Sequence, residues 1–120
     1  MPKYWFDHIH LMSPDPVKTG EFYEQMFGAK KVIRDLGKGR IIVEVDFNGT
    51  LILVSKAGDT TQPGLVHFGI ATDNVEKSAA ELKAKGVRFT QEVREVRPGF
   101  KMSFLLAPEN VTVELQEGNL

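Results

Sequence analysis

The chain contains no cysteine, which excludes a disulfide framework, a zinc–thiolate centre and a thiol nucleophile. It carries no excess of either charge: fifteen basic side chains face sixteen acidic ones, for a formal net charge of -1. Nothing in that balance requires nucleic acid as a partner. No apolar run approaches the roughly 20 residues that a membrane helix needs, and Met1-Pro2-Lys3 begins nothing that reads as a signal peptide. The expectation is a cytoplasmic protein with neither membrane nor nucleic acid as partner. What is present, 42% hydrophobic and 26% charged residues in a chain of 120, suits one globular domain with its own core.

Phe6-Asp7-His8-Ile9-His10-Leu11 reads as a strand ending in the turn Ser13-Pro14-Asp15-Pro16. Side chains alternate along a strand, so Phe6, His8 and His10 share one face and Ile9 and Leu11 the other. The apolar face is suited to lie under a helix, and the imidazole face to line a cavity. Asp15 is placed as a helix N-cap with Pro16 at the first helical position. Val17, Phe22, Tyr23, Met26 and Phe27 follow at helical spacing, and Gly28 supplies a left-handed stop. Lys31 to Arg34, Arg40 to Phe47 and Thr50 to Ser55 are short β-branched runs broken by Gly37-Lys38-Gly39 and Asn48-Gly49. Asn-Gly between two such runs marks a hairpin.

After a polar linker over 57–63 the pattern begins again. Leu65 to Ala71 reads as a strand with His67 at its centre, and Asp73-Asn74-Val75-Glu76 as a capping box opening a helix that Gly86 closes. Strands follow over Arg88 to Val96, Lys101 to Leu106 and Val111 to Gln116. Asp15 and Asp73 are 58 positions apart, His8 and His67 are 59, and the last strands of the two halves are offset by 61. A repeat of this length predicts two βαβββ modules, 1–56 and 64–120, in one α+β domain with a curved mixed sheet around a cavity and the helices outside.

The repeat makes His8 equivalent to His67, and Leu53 equivalent to Glu114. Modules paired by a pseudo-twofold axis would bring His8, His67 and Glu114 together, with Leu53 unable to serve as a ligand. Two imidazoles and a carboxylate on one side of an ion leave positions open for substrate, and suit Fe, Mn, Zn, Ni or Co without selecting among them. Each residue also has a plainer role: a structural histidine, or a carboxylate on the wet side of a sheet. Glu114, however, stands between Val113 and Leu115 in an apolar strand, where glutamate is rarely found without a partner.

Asp7-His8-Ile9, Phe22-Tyr23, Phe27-Gly28, Val66-His67-Phe68 and Val113-Glu114-Leu115, in this order, resemble the vicinal oxygen chelate superfamily. That group includes glyoxalase I, methylmalonyl-CoA epimerase, fosfomycin-resistance thiol transferases, extradiol dioxygenases and bleomycin-binding proteins. The resemblance covers the whole chain and implies a glyoxalase-like fold, a homodimer, a small-molecule substrate and one divalent metal ion chelating vicinal oxygens. Departures are visible. Leu53 stands where glyoxalase I and the epimerase carry a fourth ligand, and Phe104 replaces a tyrosine expected in the fosfomycin-resistance branch, whose potassium loop has no counterpart. The turn before the last strand is Ala107-Pro108-Glu109-Asn110 in place of the usual Asp-Pro-Asp-Gly.

The leading expectation is a metal-dependent lyase, isomerase or thiol transferase. His8, His67 and Glu114 hold the ion, and His10 or Glu44 moves the proton. Glu44 and Asp46 share a face, and ordinary solvent exposure is the simpler expectation for both. Arg94, Arg97 and Lys101 read either as anion-binding groups or as surface charges. The alternatives are an Fe(II) ring-cleaving dioxygenase using the same triad and a metal-free binding protein of the bleomycin-resistance kind.

Overall fold

The computed structural model describes residues 2–59 and 62–119. The elements follow in the order strand β1 (Tyr4–Ser13), helix α1 (Pro16–Phe27), β2 (Lys30–Gly37), β3 (Arg40–Phe47), β4 (Thr50–Lys56), β5 (Gly64–Thr72), helix α2 (Val75–Ala84), β6 (Arg88–Arg97), β7 (Phe100–Ala107) and β8 (Val111–Glu117). A short 3₁₀ turn over Pro108–Asn110 precedes the last strand. The βαβββ order therefore occurs twice, as the repeat predicts. Of the expected linker, Thr60 and Thr61 lie outside the described residues.

The chain resolves into two compact units. The unit central in the sequence runs from His8 to Val66, and the unit flanking it in the sequence combines the residues before His8 with those from His67 on.

In the central unit β1 runs parallel to β4, which the crossover through α1 makes possible. His8 lies opposite Leu51 and His10 opposite Leu53. The remaining pairings, β4 with β3 and β3 with β2, are antiparallel and give the order β2-β3-β4-β1. The hairpin between β3 and β4 turns at Asn48 and Gly49, both at positive φ (53° and 104°), which is the backbone that Asn-Gly tolerates. Asp46 caps this turn by accepting the Gly49 N–H at 2.6 Å, so its carboxylate serves the hairpin. The sheet face away from the histidines carries Val43, Val45 and Val54, all fully buried, with Leu11, Val17 and Tyr23 packed against them.

Helix α1 covers that face. Asp15 caps it by accepting the Lys18 N–H at 3.1 Å, and Gly28 ends it at φ 72°. Gly20, in mid-helix, has a packing reason: a Cβ there would stand 2.7 Å from Val43 Cγ1. Gly20→Leu is expected to destabilise the protein by about 2 kcal/mol through overpacking, although at an open helix position the same change would gain about 1 kcal/mol. A urea-unfolding midpoint that moves upward would contradict this packing.

In the flanking unit β5 is parallel to β8, and β8-β7-β6 continue antiparallel. Phe68 lies opposite Val113 and Gly69 opposite Glu114. The beginning of β1 belongs here: Phe6 stacks on Phe68 at 5.9 Å, and the Lys3 backbone N–H donates to Asp73 Oδ1 at 3.0 Å. Helix α2 departs from expectation at its cap. Asn74, and not Asp73, occupies the N-cap, its side chain accepting the Lys77 N–H at 3.0 Å, because Asp73 is engaged with the chain start. This shift by one residue makes the repeat uniform, since Asp15 and Asn74 are 59 apart, as are His8 and His67. A pair of hydroxyl contacts repeats at the same offset: Ser13 Oγ meets Thr19 Oγ1 at 2.6 Å, and Thr72 Oγ1 meets Ser78 Oγ at 2.7 Å.

Candidate functional site

Sheet register lines up one row of side chains in each unit. In the central unit the row is Val32, Glu44, Leu53 and His10 across β2, β3, β4 and β1. In the flanking unit it is Gln91, Phe104, Glu114 and Gly69 across β6, β7, β8 and β5. Paired positions on neighbouring strands point to the same face. The rows therefore establish Leu53 as the counterpart of Glu114 and Glu44 as the counterpart of Phe104, while His8 and His67 each stand two residues before the row. The offset grows from 59 to 61 along the module: one residue enters at the irregular register of β6 with β7, and one at the turn before β8, where Ala107 pairs with Val111 but Phe47 pairs with Thr50.

His67 and Glu114 meet in the flanking unit. Nε2 lies 3.4 Å from Oε1, with only 9% and 8% of the two side chains exposed. The ring of Phe104 stands edge-on to His67 at 5.2 Å between centroids, so an aromatic wall flanks the pair. The arrangement arises because β5 and β8 are adjacent parallel strands and both side chains occupy the face turned away from Val113, Leu115 and α2. A buried carboxylate beside an imidazole is a donor set suited to a divalent cation. Alternation alone gives a half-exposed strand its wet face, but here Glu114 is buried and that plainer role does not apply.

His8 and His10 lie together in the central unit, ring centroids 6.2 Å apart, with His8 only 1% exposed. The His10 Nε2 and the Ser55 Oγ are 2.6 Å apart, so a hydrogen bond from β4 orients the ring. Glu44 differs from its simpler expectation. It is not an open surface acid, for only 17% of its side chain is exposed and its Oε2 accepts a hydrogen bond from Arg34 Nε at 2.5 Å. Ser55 and Arg34 were not legible as site residues, because their partners are fixed by strand register. Alternation along Lys31-Val32-Ile33-Arg34 puts Arg34 on the Val32 face, the one signal in the sequence that could have pointed to it.

Of the three cations named from sequence, Lys101 is committed to α2: its ammonium donates to Glu76 at 3.0 and 3.3 Å. That hydrogen bond holds the Glu76 carboxyl below the ordinary glutamate range and raises Lys101 above the ordinary lysine value. Arg94 and Arg97 are exposed along β6.

The Glyoxalase/Bleomycin resistance protein/Dioxygenase superfamily model matches residues 5–115. The chain belongs to this superfamily. None of the curated proteins compared matches it. Among solved structures, a hypothetical protein of Bacillus halodurans C-125 aligns with a TM-score of 0.80 at 20% identity, covering 98% of this chain and 96% of that one. A Streptomyces coelicolor methylmalonyl-CoA epimerase variant in complex with 2-nitronate-propionyl-CoA aligns with a TM-score of 0.74 at 23% identity, over 96% of this chain and 97% of that one. Methylmalonyl-CoA epimerase from Mycobacterium tuberculosis gives 0.76 at 18% identity, over 96% and 88%. These likenesses establish the fold: α+β and glyoxalase-like, with eight strands in mixed pairing and two helices. Among the described residues no helix is long and apolar enough to cross a membrane.

Proposed function

We propose that this member of the superfamily is a metal-dependent enzyme of lyase, isomerase or thiol-transferase type acting on a small carbonyl substrate. His8, His67 and Glu114 would hold one divalent ion. The observation that carries the reading is the buried His67–Glu114 contact, an imidazole and a carboxylate brought to one face by adjacent parallel strands. Support for His8 as the third donor comes from its equivalence to His67 in the repeat and from its burial. The ion would supply Lewis acidity toward vicinal oxygens of the substrate.

The chain's own side chains have three tasks in this reading. His10, oriented by Ser55, exchanges a proton with the substrate. Glu44, on the same sheet row, is the second proton-transfer group. Leu53, 7% exposed between them in the row, keeps that part of the face apolar and limits water. The epimerase neighbours favour the isomerase member of the class, in which a proton leaves and returns at a carbon beside a carbonyl.

The test is solvent exchange. Protein reloaded with Mn(II), Co(II) or Ni(II) is incubated in D₂O with methylmalonyl-CoA and, separately, with a hemithioacetal of glutathione. Metal-dependent deuterium incorporation or isomerisation is the expected result, and chelator should abolish it. Oxygen uptake with catechols under Fe(II) would favour the ring-cleaving alternative, which uses the same three donors. Tight binding of small aromatic compounds without any metal uptake would favour the sequestration alternative. The expected homodimer is checked by light scattering.

A further inference from the structure

The Arg34–Glu44 pair is unequal. The acid is largely enclosed, with 17% of its side chain exposed, while the arginine keeps 49% of its side chain in the open. Both project from the face of the central sheet that bears His8 and His10, since Val32 and Glu44 are paired and Arg34 lies two residues further along β2. β2 is the outer strand of this sheet, so the guanidinium stands at its rim. Nε is the nitrogen that meets Glu44. A guanidinium carries four further N–H donors on its two terminal nitrogens, in a planar fork that matches a carboxylate. At a half-exposed position the existing pair holds by only a small margin, so a second carboxylate can compete for the same cation.

We propose that Arg34 recognises a carboxylate on the substrate, and that its bond to Glu44 is a latch which the arriving carboxylate opens. When the substrate takes the fork, Glu44 is released toward Leu53, its neighbour in the row, with His10 one strand further on. The acid becomes available for proton transfer only when an anionic substrate is in place. This rests on the proposed function for its choice of substrate face, and it deepens that reading by naming an acid-bearing substrate class.

The full chain, dialysed against chelator, is titrated with malonate and with neutral malonamide, following ¹H–¹⁵N shifts. Malonate is expected to bind and malonamide to leave the spectrum unchanged. Arg34→Gln should weaken malonate binding by about tenfold, with Arg34→Lys between it and the parent. Glu44→Gln should tighten malonate binding by about threefold, because the internal competitor is gone. A purely structural pair gives the opposite sign, since loss of Glu44 would then leave Arg34 disordered and weaken binding. That outcome overturns the proposal, as does equal binding of malonamide. Inorganic phosphate serves as a further arm: binding tighter than malonate would assign the site to a phosphate and overturn the carboxylate assignment. Mn(II) binding is measured on the same variants. Failure of the metal reading would appear as absence of Mn(II) uptake by the parent chain, with the malonate series unaffected.

Discussion

Glu114→Gln is expected to lower Mn(II) affinity by at least about 100-fold while the fold survives. Glutamine keeps the shape of glutamate and removes the charge, and even residues that only orient metal ligands commonly cost about 10- to 100-fold when changed. The site favours a clean result: Glu114 is buried beside His67, and an amide remains able to hydrogen-bond across the 3.4 Å that separates them. His67→Ala should lose as much affinity and additionally remove the ring that packs edge-on against Phe104. Activity, where it depends on the ion, should fall in parallel. The measurement is a Mn(II) titration by electron paramagnetic resonance, with circular dichroism to monitor the fold. Glu92→Gln, at an exposed position on β6, is the control and should bind as the parent does. Parent-like Mn(II) binding by Glu114→Gln would remove the carboxylate from the metal set.

Leu53→Glu should make stability depend on metal. Leu53 is 7% exposed and occupies the register position equivalent to Glu114. A carboxylate installed there sits beside Glu44 across the β3–β4 pair, so it is both buried and next to a like charge. Without metal, the variant is expected to lose about 3 kcal/mol, the usual scale for a buried charge without a compensating partner. With Mn(II) at 100 times its dissociation constant, binding returns about 2.7 kcal/mol, and the extra donor should raise affinity above that of the parent. Thermal unfolding with and without Mn(II) distinguishes the outcomes. A variant as stable as the parent in chelator, with no response to the ion, would mean that position 53 does not face the metal site.

Much of the fold was legible because it follows from local rules. The alternation in His8-Ile9-His10-Leu11, the Asp15-Pro16 cap and the Asn48-Gly49 turn each act within a few residues, and each appears where expected. The α2 cap was misplaced by one residue for a non-local reason. Asp73 and Asn74 are both good caps by type, and the choice between them depended on Lys3, seventy positions away, which takes the aspartate. Glu44 shows the same limit. Its face was readable from alternation, but its partner was not, because Arg34 reaches it only through the β2–β3 register.

By itself the sequence determined the doubled βαβββ order, the histidines equivalent across the repeat and the carboxylate available in only one of the two last strands. Periodicity, turn chemistry and internal repetition are written along the chain and survive without knowledge of contacts. Only the tertiary structure decided that Glu114 is buried against His67, that Ser55 orients His10 and that Arg34 holds Glu44. Those are pairings between strands, fixed by which residue falls opposite which, and strand register is a property of the assembled sheet.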